Sequence, residues 1–112
     1  MSIPDIHNLD GSILDADAAA AVGKALGHPT RLCIIRQFSD GRPRIVRDIV
    51  EHCDAVQSTV SEHLRILREA GVVNATPDGP CVWYDLDRAT LTRFARTIAH
   101  LTANRSALVG LR

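Results

Sequence analysis

Apolar residues along the chain fall first into helical and then into strand-like spacing, and the switch between the two periods lays out the molecule. Ala18, Ala19, Val22, Ala25 and Leu26 share one stripe of a helix that Asp15 can cap and Gly27 ends. Pro29 opens a second helix, its fixed φ suited to a first helical turn. Leu32, Ile34, Ile35 and Phe38 supply its expected buried face, and Ser39, Asp40 and Gly41 stop it. A third helix begins near Ile45 and carries Val46, Ile49, Val50 and Cys53 at i, i+3, i+4 and i+7, a core stripe. After a break at Asp54, Ala55 and Val56, a fourth runs from about Gln57 to Ala70. Its Val60, Leu64 and Leu67 point inward, leaving Ser58, Thr59, Ser61, Glu62, Arg65, Arg68 and Glu69 on other faces. Two short helices on so tight a connection predict a helix-turn-helix.

Past Gly71 the period falls to two. Residues 72 to 76 read as a strand, Pro77-Asp78-Gly79-Pro80 as a turn, and residues 81 to 86 as a second strand, together a β-hairpin or wing. Val82, Tyr84 and Leu86 make its apolar face, and Cys81, Trp83 and Asp85 its outer one. Asp87 then caps a last helix with Leu91, Phe94, Ala95, Ile98 and Leu101 on one stripe, opposite Arg93, Arg96, Thr97, His100 and Asn104. A terminal helix this amphipathic needs a surface to cover it. Residues 1 to 14, with Pro4, Asn8 and Gly11, keep no period and read as an arm outside the core. The expected organisation is therefore an arm over 1–14, one mainly α domain with a small β-hairpin over 15–106, and a tail over 107–112.

Composition sharpens this picture. The chain of 112 residues is 46% hydrophobic and 23% charged, an ordinary globular balance. A single domain of this size buries roughly two-thirds of its unfolded surface, so a dimer interface would add to a small core. Aromatic residues are 4%, leaving aliphatic helix packing to fill the interior. No apolar run is long enough for a membrane span or a signal core, and a cytoplasmic protein without a membrane partner is expected. Formal net charge is zero, which excludes a polybasic tail, yet the zero is uneven. Residues 1 to 30 hold four Asp against Lys24, a net of −3, whereas residues 31 to 112 hold twelve Arg against nine carboxylates, a net of +3. Arginine's planar fork suits phosphate and guanine edges.

The order of helices and hairpin, together with three stretches at its joints, resembles the ArsR/SmtB family of winged-helix repressors. ALGHPTRLCII at residues 25–35 resembles the family's entry to its second helix, with His28 where an acidic cap is common. QSTVSEHLRILREAGVV at 57–73 resembles its recognition helix and the step into the wing, and DGPCVWYDL at 78–86 resembles the wing's return strand. The resemblance spans about residues 16 to 101. It implies a homodimer joined through the first and last helices, with Val22, Leu26, Leu91, Phe94, Ile98 and Leu101 at the interface. It also implies an autoregulatory repressor of double-stranded operator DNA, released by an inducer. Two-fold dimers place one recognition helix in each of two major-groove half-sites. Gln57, Ser58, Thr59, Ser61, Glu62, His63 and Arg65 occupy the first part of that helix and are the candidate base and backbone contacts. Arg44 and Arg68, with Arg42 and Arg47 beside them, are candidate phosphate neutralisers. Two positions depart from the family: Val56 stands where a polar cap usually precedes the recognition helix, and Pro80 stands where the wing tip often carries a basic residue.

The inducer stays open at this level. A metal or metalloid ion would require thiolate and imidazole ligands. The family's cysteine pair at the third helix would fall around Ile45 and Arg47, and of its site on the last helix Asp87 and His100 remain, with Ala89 and Ala103 where further ligands should be. Cys33, Cys53 and Cys81, at spacings of 20 and 28, form no CxxC pair and read as free thiols, Cys53 as a small core hydrophobe. Oxidation of these thiols is an alternative signal, and His7 with Asp5 and Asp10 on the arm could add ligands. Enzymatic readings lack a constellation: adjacent helical residues diverge by about a hundred degrees, so His52 and Cys53 cannot form a dyad. A winged helix used for protein interaction is the remaining rival, and the hydroxyl-rich face of the fourth helix counts against it.

Overall fold

The computed structural model describes residues 13–110. Its elements run α1 (Ala16–Leu26), α2 (Pro29–Arg36), α3 (Val46–Glu51), α4 (Gln57–Glu69), β1 (Val73–Asp78), β2 (Cys81–Leu86) and α5 (Arg88–Gly110). This is a winged helix-turn-helix. Side chains at the joints cap three of the helices. The Asp15 carboxylate accepts from the Ala18 N–H at 2.8 Å, Nδ1 of His28 accepts from the Thr30 N–H at 3.1 Å ahead of Pro29, and Oδ1 of Asp87 accepts from the Thr90 N–H at 3.0 Å. At the end of α4, Gly71 takes a φ of +80°. The N–H groups of Gly71 and Val72 donate back to the carbonyls of Arg68 and Leu67, both at 2.9 Å, closing the helix and aiming the chain into β1.

The core lies where α4 meets every neighbour. Val60, Leu64 and Leu67 are fully buried, and around them pack Val22 and Ala25 of α1, Ile34 of α2, Phe38 just beyond it, Ile49 of α3, and Val72 and Val73 at the hairpin's root. Each fully buried aliphatic side chain contributes roughly 2 kcal/mol over an exposed one. Leu32, expected inward, is instead 42% exposed, because an eight-residue helix turns Ile34 and the following Phe38 to the core. Leu14 likewise departs from the expected arm: it is buried, its N–H donates to Oγ1 of Thr97 at 3.0 Å, and the Ile13 carbonyl accepts from Arg93 at 3.2 Å. The segment before α1 is thus held on α5. The rest of the arm, with Asp5, His7 and Asp10, lies outside the described residues. At the other end the backbone stays helical to Gly110, through the first residues of the expected tail, while residues 111–112 lie outside the described residues.

Strands β1 and β2 pair antiparallel from Val73 opposite Leu86 to Asp78 opposite Cys81. The turn is therefore two residues, Gly79 and Pro80, and not the four expected; Pro77 and Asp78 belong to the strand. Gly79 has φ +58°, and a positive φ followed by proline's fixed negative one is the sign pattern of a type II′ hairpin turn. Tyr84 and Leu86 pack on the core, whereas Val82, nearer the tip, is 36% exposed and extends past the core's edge. A third backbone segment joins the wing: Arg44 and Tyr84 exchange both N–H to O hydrogen bonds at 2.8 Å. Among the described residues no helix is long and apolar enough to cross a membrane.

Candidate nucleic-acid interface

Helix α4 presents its hydroxyls because its apolar stripe consumes one face. With Val60, Leu64 and Leu67 inward, Gln57, Ser58, Thr59, Ser61 and Glu62 are exposed on the outer face of its first half. The helix starts at Gln57, and its N-cap Val56 makes no side-chain capping bond. Its first amides thus lack the acceptor that serine or aspartate would supply, and the N-terminal end of the helix dipole favours an anion there. The turn from α3 and the packing of α2 and β1 against α4 fix its direction.

Three of the candidate contacts, Glu62, Arg65 and Arg44, have protein partners. The Arg65 guanidinium donates from Nε to Glu62 at 3.0 Å and from an Nη to Glu69 at 2.6 Å, so one cation is held by two carboxylates on its own helix. Hydrogen bonding to Glu62 and Glu69 raises the Arg65 pKa, and Arg65 holds the Glu62 carboxyl below its usual range. The cluster carries a net negative charge, and as an exposed pair of salt bridges it adds little stability. Arg44 is similarly engaged, donating to both oxygens of Asp40 at 3.0 and 2.8 Å. That bond is the largest cause of an Asp40 carboxyl held well below the usual carboxylate range. Arg68, by contrast, is exposed and enters no ion pair among the described residues.

His63 turns toward α2. Its ring lies 4.5 Å from that of His28, tilted by 47°, and its Nδ1 is buried without a hydrogen-bond partner among the described residues. Burial lowers its pKa first, and the nearby His28 and Arg31 add to the effect against an opposing Glu62. This places His63 at the α2–α4 joint, half-buried, and not beside the exposed hydroxyls. On the wing, Trp83 is 36% exposed and Cys81 exposed, flanking the Gly79-Pro80 tip.

The expected interface residues divide. Val22 is corrected: at 1% exposure it belongs to the chain's own core, because α1 packs its stripe on α2, α4 and α5 of the same chain. Leu26, Leu91 and Phe94 are partly buried against that core. Ile98 and Leu101, one turn further along α5, remain 50% and 63% exposed.

The candidate metal ligands also divide. Asp87 caps α5, His100 is exposed on that helix, and Cys81 sits on the wing. Among the described residues no group of three His, Cys, Asp or Glu side chains converges as a metal site. Cys33 and Cys53, however, meet with their sulfurs 2.7 Å apart. Sequence reasoning missed this pair because nothing in a 20-residue separation reports contact between two elements. It missed the stack of His28 on His63 for the same reason, whereas the Asp40 to Arg44 pair at i, i+4 was open to a reading of charge spacing.

Comparison with known proteins agrees with this architecture. Residues 28–75 match the family described as bacterial regulatory protein, arsR family. The chain is 37% identical over 68 residues to an uncharacterized HTH-type transcriptional regulator of Methanocaldococcus jannaschii, covering 61% of this chain and 76% of that one. It is 39% identical over 83 residues to the HTH-type transcriptional regulator NmtR of Mycobacterium tuberculosis, covering 71% and 68%. Among solved structures, an ArsR-like transcriptional regulator from Rhodococcus sp. RHA1 superposes with a TM-score of 0.76 at 21% identity, covering 85% of this chain and 89% of that one. A homodimeric winged helix-turn-helix DNA-binding domain from Mycobacterium bovis, a possible ArsR-family transcriptional regulator, superposes with a TM-score of 0.61 at 28% identity, covering 80% and 84%.

Proposed function

The chain belongs to the ArsR family of bacterial regulatory proteins, and from that premise we propose that it is a homodimeric, sequence-specific transcriptional repressor that binds an operator near its own gene and leaves it when an effector binds. The observation that carries this reading is the exposed row Ser58, Thr59 and Ser61 on the first half of a helix whose opposite face is fully buried. Short hydroxyl side chains let a helix backbone approach the major groove closely, and they hydrogen-bond either base edges or phosphate. Gln57 and Glu62 flank them as further base-edge candidates. Arg68 serves as a phosphate contact, and Arg65 and Arg44 reach phosphate by exchanging their carboxylate partners for it. His63 acts from behind, setting the position of α4 on α2.

The two recognition helices of a dimer read half-sites about one helical turn apart. Ile98 and Leu101 on α5 supply apolar surface for that dimer. Effector release follows if the effector binds better to a conformation whose helix spacing does not match the groove.

The test is an anisotropy titration of the dimer on a duplex bearing the inverted repeat upstream of its gene and on a shuffled duplex, across a salt series. Binding tighter by about three orders of magnitude or more is expected on the repeat, with affinity falling steeply as salt rises. Ser58→Ala with Thr59→Ala should erase much of that preference, at roughly 1 to 3 kcal/mol per lost base contact. Arg68→Ala should weaken both duplexes alike. Equal affinity of the unaltered protein for the two duplexes would overturn the operator reading.

A further inference from the structure

Cys33 sits on α2 and Cys53 just past the end of α3, and their sulfurs meet between the two segments. The 2.7 Å between them is closer than unbonded sulfurs ordinarily sit and longer than the ~2.05 Å of a disulfide. Their surroundings are ordered: Nε2 of Gln37 donates to Sγ of Cys53 at 3.0 Å and to the Ile49 carbonyl at 3.1 Å, while Sγ of Cys33 donates to the His52 carbonyl at 3.4 Å. The two thiols differ in access. Cys53 is buried, but Cys33 lines an open surface pocket of about 460 Å³ with Pro29, Leu32, Arg36, Gln37 and His52. One thiol is thus reachable by a small solute, and the other waits behind it.

We propose that Cys33 and Cys53 are a redox-active dithiol, which hydrogen peroxide entering the α2 pocket converts to an intramolecular disulfide that ties α2 to the turn before the recognition helix. The Cys33 thiol gives its proton to solvent, and the thiolate attacks one peroxide oxygen. An S–O bond forms, the O–O bond breaks, and the hydroxide released takes up a proton as water. Cys53 then attacks the sulfur of the Cys33 sulfenic acid. The S–S bond forms, the S–O bond breaks, and the departing hydroxide takes the Cys53 proton to leave as a second water. Two thiols are oxidised and one peroxide is reduced to water. Burial, chiefly, together with its contact to Cys33 pushes the Cys53 pKa up to about 11, against an opposing Gln37. A buried thiol so held is a poor first nucleophile toward peroxide, which leaves the first attack to Cys33 on the pocket.

The consequence for DNA rests on the repressor reading. Cys53 precedes Val56, the N-cap of α4, by three positions, so a bond at Cys53 constrains the turn that aims α4. The oxidised protein therefore binds its operator more weakly, by about tenfold, within the usual range of coupling between two sites.

Hydrogen peroxide is the probe, applied to the reduced protein. Titratable thiols should fall from three to one, a non-reducing digest should join the Cys33 and Cys53 peptides, and dithiothreitol should reverse both. Cys81→Ser should leave the cross-link intact, and Cys33→Ser or Cys53→Ala should abolish it. Because Cys53 is buried, the partly exposed Cys33→Ser variant guards against a folding defect in the other. Oxidation confined to Cys81, links between subunits only, or sulfinic acid at Cys33 without a cross-link would each overturn the dithiol. Operator affinity unchanged by a formed cross-link would overturn the switch. A reduced protein that does not distinguish operator from shuffled duplex would overturn the repressor reading instead, and the cross-link result would stand independently.

Discussion

His28 and His63 join local and tertiary roles in single side chains. Nδ1 of His28 accepts the Thr30 amide and so caps α2, while its ring packs on His63 of α4. His63 is held below the ordinary value of 6.5, first by burial and then by His28 and Arg31. A base with a lowered folded-state pKa makes the unfolded chain the stronger proton binder as pH falls through 6.5. The stability that the neutral ring supplies is present above that value and is lost on acidification toward the lower folded pKa. Urea denaturation at about pH 7.5 and about pH 5 should therefore show the midpoint of the unaltered protein falling further than that of His63→Gln. Parallel falls in the two proteins would contradict this account of the joint.

The recognition helix begins under conditions that a stability criterion alone would not select. Val56 has the extended φ of −81° and ψ of 163° that an N-cap requires, yet it offers no acceptor and is 66% exposed. Val56→Ser should cap the helix in place and raise the free energy of unfolding by about 1 kcal/mol, read from denaturant midpoints. If the open helix end meets phosphate, the same change should weaken operator binding while it stabilises the fold. Helices α1, α2 and α5 carry their caps in sequence as Asp15, His28 with Pro29, and Asp87, and were readable for that reason. The hairpin was readable in its turn residues but not in its turn length, because Pro77 is tolerated in an edge strand and Asp78 pairs opposite Cys81.

At the scale of the whole molecule, the ion pairs gather on α4 and just before α3, while α5 leaves large apolar side chains exposed. Helix α4 and the segment between α2 and α3 carry Arg65, Arg68, Arg42 and Arg44 in partial balance with Asp40, Glu62 and Glu69. Non-specific attraction to DNA is correspondingly modest, and recognition must depend on base contacts and dimer geometry. Helix α5 leaves Ile98 and Leu101 exposed beyond the point where Leu91 and Phe94 reach the chain's own core. Ile98→Glu with Leu101→Glu should convert a dimer to a monomer in light scattering and abolish cooperative binding to the inverted repeat. A variant that stays dimeric would move the interface elsewhere. The amino-acid order by itself determined the elements, the outward row of hydroxyls on α4, the zero net charge split into −3 and +3, and the family, since periodicity, caps and turn residues are local signals. Only the tertiary structure decided that Val22 and Leu14 are core, that His63 packs on His28, and that Cys33 meets Cys53. Those outcomes depend on how separate elements pack, and a stripe of apolar residues states that a face will be buried without stating against what.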